Sequence, residues 1–174
     1  MRCGDAWRSV AFAACGNGRW PRRERTAFTP TKTFSKSSRE GLFDTNLLSY
    51  SFTSLGLCHE IYERTLLTAS MVSCDPLLDE LRGTLIQKMK VESTLADEII
   101  AELRNEFELV EAKPLSKRVC HDADDDLVLA TARESKADVI VTGDKDLLVL
   151  KEFQKTKILS PRQFIEMLDA SIKE

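Results

Sequence analysis

No apolar run in this 174-residue chain approaches the length needed to cross a bilayer, so no membrane-spanning helix is expected. Nor is there a CxxC pair among the five cysteines, which stand far apart at positions 3, 15, 58, 74 and 120. An odd, scattered set of that kind argues against a disulfide framework and against a structural zinc site. It fits a reducing compartment, and a cytoplasmic location is expected. Cys58-His59 and Cys120-His121 lack the ligand spacing of a tetrahedral zinc site. Internal repeats and low-complexity tracts are missing from residues 42–174, and the length suits one domain with a real core.

What is present is charge, unevenly placed. Residues 1–43 hold nine Lys/Arg against three Asp/Glu, whereas residues 44–174 hold sixteen against twenty-five. The head, residues 1–41, has no sustained periodicity and is rich in Arg, Ser, Thr, Gly and Pro. It reads as a disordered or non-native basic extension. The acidic remainder, residues 42–174, reads as the folded domain.

That domain alternates strand and helix signals. ASMVS (69–73), FELVE (107–111), ADVIVT (137–142) and KILS (157–160) read as strands. ADVIVT is almost wholly apolar, as in a parallel strand covered on both faces. LFDTNLL reads as a strand end running into a turn, and only Leu42 and Phe43 precede its aspartate, which predicts a short first strand. Helices are expected at 56–67, after the Asp75-Pro76 start, near Thr94, at about 125–136, and after the Ser160-Pro161 start. Thr94 and Asp97 have the spacing of an acidic capping box. The order predicts a three-layer α/β/α sandwich with a mostly parallel central sheet.

Of the seven aspartates in HDADDDLVLATARESKADVIVTGDKDLL (121–148), six, Asp122, Asp124, Asp125, Asp126, Asp144 and Asp146, stand around an apolar helix and an apolar strand. Like charges so close repel, and a cation between them offsets the cost. Asp44 and Asp144 both follow apolar strand signals, and in open parallel sheets ligands bind beyond the carboxyl ends of the strands. Helix starts also favour acids, which accounts for some of Asp124, Asp125 and Asp126 without any ligand. On the helix after Pro76, Glu80 lies nearer the leucine stripe than Asp79. Oxygen donors without Cys or His suit Mg²⁺ or Mn²⁺, and such ions serve phosphodiester cleavage.

These residues resemble the PIN-domain family. DTN (44–46), SCDPLLDELRGTL, DADDDLVLATA and VTGDKDLL occur in the family's order, and the last two resemble most the branch of toxin components of toxin–antitoxin pairs. The resemblance implies a metal-dependent ribonuclease acting on single-stranded RNA and leaving 5′-phosphate and 3′-hydroxyl ends. It implies Asp44, Glu80, Asp126 and Asp144 as the metal-holding catalytic acids. Asn46 and Thr142 would steady the first and fourth acids, with Asp124 and Asp146 as outer acids. Mg²⁺ or Mn²⁺ would be the cofactor, and a cognate antitoxin and a homodimer the protein partners. Lys88, Lys90, Arg104, Lys117 and Arg118 are candidates for an RNA path.

Two other classes compete. One is a PIN fold with weakened catalysis that binds RNA or protein. The other is an aspartyl phosphatase or phosphoacceptor. A haloacid-dehalogenase-like enzyme wants a second aspartate where Asn46 stands, and a receiver domain wants a lysine at a late strand end, which Lys145 overshoots.

Overall fold

The structure is a computed structural model and describes residues 40–53 and 56–172. The expected basic extension lies outside the described residues except for Glu40 and Gly41, which open the first strand. The strands are β1 (Glu40–Phe43), β2 (Ser70–Ser73), β3 (Glu108–Leu109), β4 (Val139–Val141), β5 (Glu152–Phe153) and β6 (Thr156–Leu159). The helices are α1 (Thr45–Thr53), α2 (Leu57–Thr68), α3 (Asp75–Gln87), α4 (Ser93–Glu106), α5 (Ala123–Ser135), α6 (Lys145–Leu150) and α7 (Pro161–Ile172). The sheet order is β3-β2-β1-β4-β6-β5. Every pairing is parallel except the β5–β6 edge hairpin.

Alternation along each strand builds two cores. Phe43, Met71, Val139 and Val141 face one way, onto the leucine and isoleucine stripes of α1 to α4 and Phe164 of α7. Leu42, Val72, Ile140 and Ile158 face the other way, onto Val128, Leu129 and Ala132 of α5 and Leu147 of α6. This is the expected mostly parallel sheet with helices on both faces. A strand buried on both sides has no polar alternation to show, which is why ADVIVT reads as one apolar run.

Several local expectations are corrected. The residues after Asp44 form a helix, not only a turn, because Asp44 caps it: its carbonyl accepts from Leu48 N and its Oδ1 from Leu47 N at 2.6 Å. Cys74, rather than Asp75, stands at the cap position of α3, and Asp75 instead holds Arg104 at 2.9 Å. The Thr94–Asp97 box does not form, since Thr94 donates to Glu92 and Asp97 pairs with Arg82 across to α3. The Ser160 cap does form, and reciprocally: Ser160 N donates to Gln163 Oε1 at 2.9 Å, and Gln163 N to Ser160 Oγ at 3.4 Å. Helix α6 and strand β5 add a turn of structure between β4 and β6 that the sequence reading left out.

β1 sits between β2 and β4. The chain therefore builds outward from β1 on one side, then crosses back to build the other side. Such a reversal opens a crevice at the carboxyl ends of the two central strands. Asp44 directly follows β1, and Thr142 directly follows β4.

Candidate metal centre

Three helix starts meet at this crevice, each capped by an aspartate. Asp44 caps α1, Asp122 caps α5 through Asp124 N at 3.2 Å, and Asp144 caps α6 through Asp146 N at 2.8 Å. Helix N-termini present unpaired N–H groups and a partial positive charge. They offset part of the repulsion among the acids, which answers half of why so many aspartates gather here.

Thr142 ties the two strand ends together. Its hydroxyl donates to Asp44 Oδ2 and accepts from Asp144 N at 2.9 Å. Asp44 is buried, so burial pushes its carboxyl up. Hydrogen bonds from Thr142 and from the Leu47 and Gly143 backbones pull it back, and the Asp144 charge adds to the rise. Each carboxylate oxygen accepts more than one bond, so both remain open to a further partner.

Glu80 of α3 reaches the same crevice. Thr45 Oγ1 donates to its Oε2 at 3.1 Å. Burial raises the Glu80 carboxyl, the Thr45 hydrogen bond opposes that rise, and Asp124 and Asp44 add to it. Asp79, one residue earlier, is exposed and lies 3.5 Å from Arg104. The polar residue steadying an acid here is thus Thr45. Asn46 is exposed, and its backbone carbonyl takes Ser49 Oγ, so its expected support of Asp44 is corrected.

The third expected acid also moves. Asp126 Oδ1 accepts from Cys120 N at 2.8 Å and Val119 N at 3.1 Å, which fastens the loop before α5. Its neighbour Asp125 points to the crevice instead. One oxygen each of Asp125, Asp144 and Asp146 lie within 4.8 Å of one another. Asp125 was missed because three consecutive aspartates leave the helical phase ambiguous.

Asp125 carries the clearest electrostatic mark. Burial and then the charges of Asp144, Asp122, Asp146 and Asp44 push its carboxyl up to about 6. The donor chemistry, all carboxylate and hydroxyl oxygen, fits a hard divalent cation. Without a cation, folded Asp125 holds its proton to higher pH than the unfolded chain does. That contribution to stability is complete below the unfolded value and is lost as pH rises from about 4 to about 6. In chelator, Asp125→Asn should therefore melt above wild type near neutral pH, with the gap closing toward about pH 4. Thermal melts of both proteins across that range check it. A gap that does not change with pH would mean Asp125 does not feel its neighbours.

Residues 65–146 match the family model described as PIN domain. Over that span, somewhat under half of its length, the chain is similar to the PIN-domain family. The matched span takes in Glu80, Asp125, Asp126, Asp144 and Asp146 and begins after Asp44. The uncharacterized protein MJ1680 of Methanocaldococcus jannaschii is 40% identical over 62 residues, 31% of this chain and 39% of that protein. The chain thus spans well under half the length of this curated relative. Among solved structures, VapBC2 from Rickettsia felis, bound to a DNA fragment from their promoter, superposes with a TM-score of 0.52 at 12% identity. That likeness covers 70% of this chain and 98% of the other, and shows the fold. As in the sequence, no helix among the described residues is long and apolar enough to cross a membrane.

Proposed function

We propose that this chain is a metal-dependent endoribonuclease that cuts single-stranded RNA, and that it is the toxin of a toxin–antitoxin pair in the cytoplasm. What supports the reading is the grouping of Asp125, Asp144 and Asp146, with Asp44 tied to the Asp144 backbone through Thr142 and Glu80 near enough to feel Asp44 and Asp124, in a chain similar to the PIN-domain family. Thr142 and Thr45 hold the orientation. Asp126 serves the loop. Asp44, Glu80, Asp125 and Asp144 would hold Mg²⁺ or Mn²⁺, which when bound supplies a polarised water and stabilises phosphate charge.

The chain's own residues do the remaining work. Asp44 is buried and held on both oxygens, so it supplies a rigid charge. Burial and neighbouring like charges raise the carboxyls of both Asp125 and Glu80, a cost that a cation held between them would offset. Both lie in a net-negative domain, so RNA approach at the site requires a cation. The fold shared with VapBC2 supports a protein partner, an antitoxin, and a homodimer is part of the same reading.

The test is cleavage of a generic single-stranded RNA with Mn²⁺ and with excess chelator. Activity with Mn²⁺, none with chelator, and 5′-phosphate ends on the products are expected. RNA binding without any cleavage would favour the weakened binding module instead. Cleavage that persists in chelator would sink the metal reading.

A further inference from the structure

A cavity of about 570 Å³ opens at the carboxyl end of β6, beside the acidic crevice. Its apolar lining comes from Leu148, Ile158 and Leu159, and Lys151, Arg162 and Glu166 also line it. The two features share a wall. The Leu159 carbonyl accepts from Thr142 N at 3.0 Å, and Thr142 is the residue that joins Asp44 to Asp144. Along α6, Asp144 and Lys151 are separated by about 10 Å.

The free arginine Arg162 marks this cavity out. Arg64, Arg82, Arg104 and Arg133 each hold a carboxylate. Arg118 donates to the His121 carbonyl. Among the described arginines Arg162 alone has neither an acid nor a carbonyl partner; Lys151, like the other described lysines, pairs with no acid, and both are exposed. Glu166 lies one turn from Arg162 without an ion pair between them. Two unpaired cations over an apolar floor, in a domain that is otherwise acidic, complement a group that is anionic at one end and apolar at the other. The volume is within the range of small-ligand sites.

We propose that this cavity seats a nucleotide flanking the scissile phosphate of single-stranded RNA, with Lys151 and Arg162 on its phosphate and Leu148 and Leu159 against its base. The inference rests on the ribonuclease reading and names where the strand runs once it leaves the acids. It moves the RNA path away from Arg104, which is tied to Asp75 and Asp79.

The test uses the full chain with Mn²⁺ and a short, cleavage-resistant single-stranded 2′-O-methyl RNA, with affinity read by anisotropy across a salt series. Wild-type cleavage of ordinary RNA is measured alongside. Lys151→Glu with Arg162→Glu is compared with Lys113→Glu plus Lys136→Glu, an equal charge change at the C-terminal end of α5, about 20 Å along that helix from its acidic start. The first pair should weaken binding by at least about tenfold and lower the salt slope by about 0.7, one phosphate contact's worth. The second should stay within about twofold, since screening confines such charges to about 10 Å. Lys151→Gln with Arg162→Gln should lie between, and thermal melts confirm that each variant is folded. Equal losses in both reversed pairs would assign the effect to net charge and overturn the proposal. Unchanged RNA affinity in the first pair would overturn it while wild-type cleavage leaves the ribonuclease reading standing. Retained RNA affinity with lost binding of an acidic peptide would make the cavity a protein-docking site. Wild type that neither binds nor cuts RNA would end both readings.

Discussion

Asp144→Asn is expected to lower single-turnover cleavage of single-stranded RNA by more than about 100-fold while leaving the protein folded. The size follows from its place. Changes to groups that merely orient metal ligands cost about 10- to 100-fold, and Asp144 is itself within reach of the shared position. The substitution is nearly isosteric. Asparagine is as good a helix cap as aspartate, so the Asp146 N–H that Asp144 Oδ1 accepts retains a partner. Removing one charge from a crowded cluster also relieves repulsion on Asp125. Loss of function should thus appear with no loss of melting temperature. A second readout separates the metal from the chemistry. Mn²⁺ should raise the wild-type melting temperature by binding the folded state, and should raise that of Asp144→Asn far less. Equal cleavage by the two proteins would remove Asp144 from the reaction.

Phe43→Ala should destabilise the fold by about 3–5 kcal/mol, a large share of the 5–15 kcal/mol that holds a domain together. Phe43 is the last residue of β1, 2% exposed, and meets Phe164 of α7 edge-to-face with centroids 5.9 Å apart. β1 has four residues and is the strand on which the sheet order turns. So short a strand gains little from its ladder, and its hold depends on Leu42 and Phe43, one on each face. Asp44 comes next, so loosening Phe43 should also impair Mn²⁺ binding in the fraction that stays folded. Chemical denaturation measures the first effect, and Mn²⁺-dependent melting the second. A cost below about 1 kcal/mol would mean that β1 is not pinned where the fold places it.

The short first strand illustrates how far local pattern reaches. Two apolar residues before Asp44 correctly announce a brief element, yet nothing local says that it lies at the centre of the sheet. Burial on both faces, through Leu42 and Phe43, lets four residues occupy that place. Capping shows the same division. Ser160 with Pro161 is a local signal and forms as read, because both partners of the box lie within four residues. Thr94 and Asp97 have the same spacing and fail, because Arg82 on a neighbouring helix offers Asp97 a charged partner. Helix α6 and strand β5 were not legible because six and two residues are too few to show a period.

Among the acids, residue type and rough position were legible, and direction was not. Asp44 and Asp144 were placed at strand ends by the apolar runs before them. Their meeting depends on Thr142, 98 residues from Asp44, and no window along the chain contains both. Of the run at 124–126, periodicity allowed any member to face the crevice. The backbone N–H groups of Val119 and Cys120 drew Asp126 to the loop and left Asp125 to face Asp144. By itself the sequence determined the alternation of strand and helix, the apolar faces, and a stock of oxygen donors without nitrogen or sulfur partners. Such features follow from residue chemistry and short-range period. Tertiary structure alone decided which strands are neighbours, which carboxylates meet, and which cations stay unpaired, because these depend on contacts between residues that only packing brings within a few ångströms.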